Sequence, residues 1–172
     1  MTEQKEIRIT GENTAFRKEL MQKHGAERIM YCYQCGICTA DCPVAKRVKE
    51  FRPRRIARLA VLGQKERLLS DDTVWLCAGC YTCYERCPEK VKVSEIVAAL
   101  RNTAVEDGII HPTYKALMNS IAEKGYIYEI DEFENEMRED EGLPEAPSPA
   151  QNEIDHILKK TGFMERVGGA HR

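Results

Sequence analysis

The sequence predicts an all-α fold closed around two sulfur-rich loops and followed by an irregular C-terminal extension. Three observations carry that expectation. Few stretches alternate apolar and polar residues at period two, so a small β-sheet is not expected. Apolar residues recur instead near helical spacing in two stretches that each end on glycine. In RRIARLAVLG these are Ile56, Leu59, Ala60 and Leu62; in SEIVAALRNTAVEDG they are Ile96, Val97, Leu100, Ala104 and Val105. All eight cysteines fall in two short runs, CYQCGICTADCP at 32–43 and CAGCYTCYERCP at 77–88.

The elements follow in chain order. Residues 13–24, NTAFRKELMQKH, place Phe16 and Leu20 four apart and stop at Gly25, which reads as a helix. The first cysteine run comes next, then the stretch ending at Gly63. Asp71 or Asp72 is positioned to cap a short helix that carries Val74, Trp75 and Leu76 into Cys77. After the second run, Ser94 reads as an N-cap and Glu95 sits in the first turn, where the helix dipole favours an acid. Gly63 and Gly108 fit the positions just past two helix ends. Pro112 suits the first position of a helix running through Glu123 to a stop at Gly125. Residues 129–141 carry eight acids and one arginine, PEAPSP at 144–149 is a Pro-rich linker, and QNEIDHILKKTG has the pattern of a short helix. The expected divisions are 1–25, an N-terminal segment and helix; 26–125, the cysteine-bearing domain; and 126–172, the acidic and Pro-rich extension.

Each cysteine of the second run lies 45 positions after its counterpart, and Pro43/Pro88 and Gly63/Gly108 keep that offset. One unit of cysteine loop, proline, helix and glycine is therefore used twice. Each run is C-x2-C-x2-C-x3-C-P, the spacing of two-cluster bacterial-type ferredoxins. Three thiolates two residues apart wrap a short loop around three iron corners of a cubane, and the fourth must come from elsewhere. In such proteins the fourth cysteine of each run serves the other cluster. The expected cofactors are two [4Fe–4S] clusters, one on Cys32, Cys35, Cys38 and Cys87, the other on Cys77, Cys80, Cys83 and Cys42. The fold class is thus a helical two-cluster ferredoxin. Zinc sites usually pair two cysteines and leave a long gap before the next pair, which these runs do not do.

Composition narrows the function further. The net charge is −2 with 31% charged residues, so no global excess points to nucleic acid or an anionic membrane. The polar N-terminus lacks the apolar segment of a secretory signal, and no apolar run is long enough to span a bilayer. The expected location is the cytoplasm, where disulfides are rare. Residues 46–58, KRVKEFRPRRIAR, hold seven Lys or Arg and one Glu, a solvated helix face or a docking patch that also favours cluster reduction. Tyr31, Tyr33, Tyr81, Tyr84 and Trp75 crowd the cysteines and are expected to shield them from water. The histidines, His24, His111, His156 and His171, are scattered, and none is assigned to a metal. There is no G-x-G-x-x-G, no P-loop and no convergent acid, base and nucleophile, so no catalytic residue is assigned.

The pairing of CYQCGICTADCP with WLCAGCYTCYERCP, separated by a helix ending LAVLG and followed by RNTAVEDG, resembles the C subunit of heterodisulfide reductase. That family is the small iron–sulfur subunit of the soluble methanogen CoB–CoM heterodisulfide reductase complex. The resemblance covers roughly residues 28–110. It implies a helical ferredoxin fold with two [4Fe–4S] clusters, ligated by the eight cysteines above. It also implies a non-catalytic place in a larger complex, relaying electrons from the flavoprotein (A) to the catalytic (B) partner in methanogenesis. Two other classes fit the same residues: the iron–sulfur subunit of another oxidoreductase, of sulfur metabolism or of succinate or glycolate oxidation, and a zinc-bound interaction module.

Overall fold

The computed structural model describes residues 8–70, 72–128, 130–163 and 165, and among them helices alternate with turns and there is no strand. No helix among the described residues is long and apolar enough to cross a membrane. The chain forms two compact units, Met1–Ile109 and Ile110–Arg172. The divisions expected from the sequence lay at 25/26 and 125/126.

The first unit begins with α1 (Gly11–Gln22), one residue pair earlier than the apolar spacing marks it. Thr10 and Asn13 form a reciprocal cap: Thr10 N–H donates to Asn13 Oδ1 at 2.8 Å. Phe16 and Leu20 are buried. A 3-10 turn at Ile29–Tyr31 leads into the first cysteine loop and the one-turn helix α2 (Ile37–Ala40). Then come α3 (Pro53–Val61), α4 (Lys65–Leu69), a 3-10 turn at Asp72–Leu76, α5 (Thr82–Glu85) and α6 (Val93–Glu106). Asp72 opens the turn that carries Val74, Trp75 and Leu76 towards Cys77; Asp71 lies outside the described residues.

The repeat in the sequence is a repeat in space. α2 and α5 are offset by 45 residues and pack together, as do α3 and α6. Pro53 at the first position of α3 has the fixed φ a helix start needs. Ile56, Ala57, Leu59 and Ala60 are buried, while Arg54, Arg55 and Arg58 are exposed, so the basic stretch has a solvated face. On α6 the buried face is Ile96, Val97, Leu100 and Ala104, with Val105 half-buried. Full burial of one such Ile, Val or Leu contributes about 1.5–3 kcal/mol.

α1 closes the end of α3. Asn13 Nδ2 donates to the Gly63 carbonyl at 3.0 Å and Arg17 donates to the Val61 carbonyl at 3.3 Å. The Val61 carbonyl is one that the helix end leaves free, and the Gly63 carbonyl, which also accepts from the Lys65 amide at 2.9 Å, fixes the turn that follows. Gly63 has φ +67°, and a Cβ there would stand 1.8 Å from the Asn13 carbonyl oxygen, so the position tolerates only glycine. Lys23 pairs with Glu106 at 2.7 Å and Lys65 with Asp107 at 2.9 Å, two partly exposed pairs worth little each.

Ser94 is not the cap of α6. Lys92 occupies that position in a left-handed conformation (φ 56°), and Ser94 lies inside the first turn and buried. Its short side chain is turned to the cysteines instead.

The second unit holds α7 (Pro112–Lys124), α8 (Glu132–Asp140) and α9 (Gln151–Lys160). α7 begins at Pro112 and ends on Gly125 as the sequence indicates, with His111 Nδ1 accepting from Thr113 N–H at 3.2 Å. α9 docks on α7, and Gln151 Nε2 reaches the Ala122 carbonyl at 2.8 Å. α8 arises inside the acidic run, where the sequence marks no helix. Glu129 and His171 lie outside the described residues.

Candidate metal centres

The two cysteine loops share an unusual backbone. Gln34 (φ 65°) corresponds to Gly79 (φ 64°), and Gly36 (φ 90°) corresponds to Tyr81 (φ 59°). All four are left-handed, a conformation that L-residues with a Cβ avoid. Gly36 and Tyr81 stand just before α2 and α5. These two bends wrap each loop so that three thiols turn to one side.

That wrapping produces two hollows open to solvent. One is lined by Cys32, Cys35, Cys38 and Cys87, with Gln34, Arg54, Val91 and Val93 among its other walls. The second is lined by Cys77, Cys80, Cys83 and Cys42, with Phe51, Val93, Ser94 and Val97. Each run contributes three cysteines to one hollow and its last cysteine to the other. Val93, at the start of α6, is a wall of both. Cys42 is buried at 7% exposure, while Cys35 and Cys80 are the exposed members of their sets.

The donors around the sulfurs suit thiolates. Ala45 N–H donates to Cys42 Sγ at 3.5 Å, and Val91 N–H donates to Cys87 Sγ at 3.3 Å. The fourth cysteine of each run thus receives a backbone donor a few residues on. Gln34 Nε2 donates to Cys32 Sγ at 3.2 Å. The Thr82 hydroxyl stands 3.5 Å from Cys80 Sγ, and its hydrogen bonds hold that thiol below its ordinary value. Burial pushes the Cys38 thiol up to about 11 and raises Cys83 as well.

The donor set fits a cluster better than a single ion. Zinc holds sulfur at about 2.3 Å, which brings its thiolates to about 3.8 Å from one another. Among the described residues no three His, Cys, Asp or Glu side chains are gathered so as to hold one metal ion. The thiols stand around the hollows rather than at a point. Ser94 Oγ is buried with no hydrogen-bond partner, at the wall of the second hollow and close enough to Cys83 to favour its thiolate. A buried hydroxyl left in this way suits a site that fills with sulfur acceptors.

The aromatic shield is only partly as expected. Trp75 is buried at 8% exposure, and Tyr84 is half-buried. Tyr33 (61%) and Tyr81 (50%) line the mouths of the two hollows and face solvent, and Tyr31 is also exposed with Arg28 stacked on its ring at 4.5 Å. Their polar tips and the left-handed bend at Tyr81 turn them outward. Three residues carry roles the sequence did not signal. Arg101 donates to the carbonyls of Val74 and Trp75 at 2.9 Å and of Cys77 at 2.7 Å, holding the entry to the second loop. Gln34 and Ser94 reach the cysteines. The one available cue for Arg101 was a guanidinium inside an apolar helical stripe.

The family model for the 4Fe-4S dicluster domain matches residues 28–91. Over 156 residues the chain is 37% identical to the C subunit of the H(2):CoB-CoM heterodisulfide,ferredoxin reductase of Methanothermobacter marburgensis, covering 87% of this chain and 84% of that one. It is 34% identical over 145 residues to the C subunit of the ferredoxin:CoB-CoM heterodisulfide reductase of Methanosarcina mazei, covering 80% and 88%. A protein of Archaeoglobus profundus, described as like the C subunit of heterodisulfide reductase, is 33% identical over 153 residues, covering 86% and 80%. With its two hollows of cysteine, the chain belongs to the family of heterodisulfide reductase C subunits, iron–sulfur proteins with two [4Fe–4S] clusters.

Proposed function

We propose that this chain is the electron-transfer subunit of a cytoplasmic CoB–CoM heterodisulfide reductase complex, relaying electrons from the flavin-containing partner to the catalytic one. The observation that carries the reading is the pair of four-thiol hollows that share Val93 as a wall. Cys32, Cys35, Cys38 and Cys87 are the proposed ligands of one cluster, and Cys77, Cys80, Cys83 and Cys42 of the other. Each cluster supplies the carriage of one electron at a time.

The chain's own residues supply the rest. Val93 is buried between the two sites, and Phe51 and Val97 are buried walls of the second, so apolar side chains keep water from the sulfurs there. The backbone donors at Ala45 and Val91 hold the two crossing cysteines. Cys35 and Cys80 stand at the exposed edges, so each site has an outer side at which a redox partner approaches, beside Tyr33 and Tyr81. Two separate edges suit a relay with one partner for entry and one for exit.

The crossing makes the ligand assignment testable. Anaerobically prepared protein is expected to hold roughly eight irons as two cubanes. Cys42→Ser should damage chiefly the cluster on Cys77, Cys80 and Cys83, although it adjoins the first triplet in sequence, and Cys87→Ser should damage the other. Spectroscopy that resolves the two clusters decides the matter; selective loss of the cluster adjacent in sequence would refute the crossed sets.

A further inference from the structure

The two loops share their backbone but differ at one telling position. Left-handed backbone is natural for Gly79 and unfavourable for Gln34, yet both have it. A side chain kept in such a conformation points to a role that holds it there.

The Gln34 side chain bridges a sulfur and a cation. Nε2 donates to Cys32 Sγ at 3.2 Å, and Oε1 accepts from Arg54 Nε at 3.4 Å. The sense of the amide follows from chemistry, because a guanidinium has donors only. The oxygen must face Arg54, which leaves the nitrogen to face the sulfur. Arg54 is itself fixed. Its backbone N–H donates to Thr39 Oγ1 at 2.9 Å, and its side chain lies across Gly36, with Cδ and a terminal nitrogen each 3.7 Å from where a Cβ would sit. Both Gln34 and Arg54 are walls of the first hollow. Glu89, also at that hollow, opposes the charge of Arg54 and is untouched by the substitutions below. The second loop has no equivalent at residue 79. The side chain beside a cysteine there is the Thr82 hydroxyl, 3.5 Å from Cys80 Sγ, where the first loop has Ile37.

We propose that Gln34, oriented by Arg54, sets the reduction potential of the cluster held by the first thiol set. Reduction adds one electron, taken from the redox partner, and neither makes nor breaks a bond. The added charge falls partly on the thiolate sulfurs, so an N–H donor aimed at Cys32 Sγ binds the reduced state more strongly than the oxidised one and raises the potential. Arg54 polarises the amide and holds its angle. Gln34 is thus a positioning residue for electron transfer rather than a ligand. The inference rests on the cluster reading above.

Gln34→Gly separates tuning from folding. Glycine is the residue the matching loop already uses, so the loop keeps its shape while the donor goes. In anaerobic potentiometric titrations of the full chain, followed by electron paramagnetic resonance, one cluster should become harder to reduce and the other should stay in place. Iron content should match the parent and the thermal midpoint should hold or rise. Arg54→Ala should shift the same cluster in the same direction, and its effect should be smaller in the Gln34→Gly background, where only the loss of the cation remains and the orientation of the amide no longer counts. Unchanged potentials in a variant with full iron, or equal shifts in both clusters, would overturn the tuning role and leave the cluster reading intact. A parent chain without two cubanes would overturn the cluster reading itself.

Discussion

A single guanidinium closes the entry to the second cysteine loop. Arg101 projects from α6 and takes the carbonyls of Val74 and Trp75 in the 3-10 turn and of Cys77 just after it. Its planar fork spans the three; a lysine, as a point charge, does not. Arg101→Ala is expected to destabilise the folded chain by roughly 2–3 kcal/mol, since hydrogen bonds from a charged donor are lost together and buried carbonyls stay behind. Arg101→Lys should recover less than half of that loss, and thermal unfolding of the cluster-loaded protein measures both. At this scale the sequence was uneven. The eight cysteines were legible because their spacing is itself the chemistry of wrapping a cubane. Arg101 was not, because its partners lie 24 to 27 residues back along the chain and meet it only through packing. Ser94 was legible as a small polar residue before a helix, but Lys92 takes the capping conformation and frees the serine for the cysteines.

Helices were read best where punctuation and periodicity agreed. α7 has proline at its first position and glycine just past its last residue, and its bounds follow closely. The 45-residue offset marked the repeated unit, while the packing of α2 on α5 and of α3 on α6 is visible only in the structure. α8 was missed because acids occupy most of its positions and leave only Phe133 and Met137 as an apolar pair. What starts it is a local box. Asp131 accepts from the amides of Phe133 and Glu134, and Glu134 reaches back to the Asp131 amide at 3.1 Å. The Glu134 side chain, followed by the amides of Glu134 and Phe133, holds the Asp131 carboxyl below its ordinary range. A carboxylate whose folded value is depressed stabilises the folded state above its unfolded value, and that help is lost as pH falls through the folded one. The order of α8 should therefore be constant above pH about 4 and fade below it. Asp131→Asn, which keeps an accepting oxygen but cannot titrate, should flatten the dependence, and Asp131→Ala should weaken α8 at neutral pH as well. Residue-resolved carbon chemical shifts over 132–140 during an acid titration test all three; an unchanged profile in Asp131→Asn would assign the fading to another acid.

For the whole molecule, the arrangement of sulfur limits what the chain does alone. Reducing a disulfide delivers two electrons to one sulfur pair, at a site with an open position for sulfur or a free thiol for exchange. All eight cysteines stand at one hollow or the other, four to each, and no two are adjacent in sequence. If each hollow uses its four thiols as ligands, no iron is left open and no thiol is left free. The chain then accepts electrons singly and hands them on. The purified protein, loaded with iron, is expected to be reduced by a strong low-potential reductant and to show no turnover with the mixed disulfide of coenzyme M and coenzyme B. Turnover should appear when the catalytic partner is added, at a rate that depends on both proteins. The decisive assay is therefore the lone chain with a reduced dye and the mixed disulfide. Oxidation of the dye at a catalytic rate would place the chemistry in this chain and remove it from the role of relay.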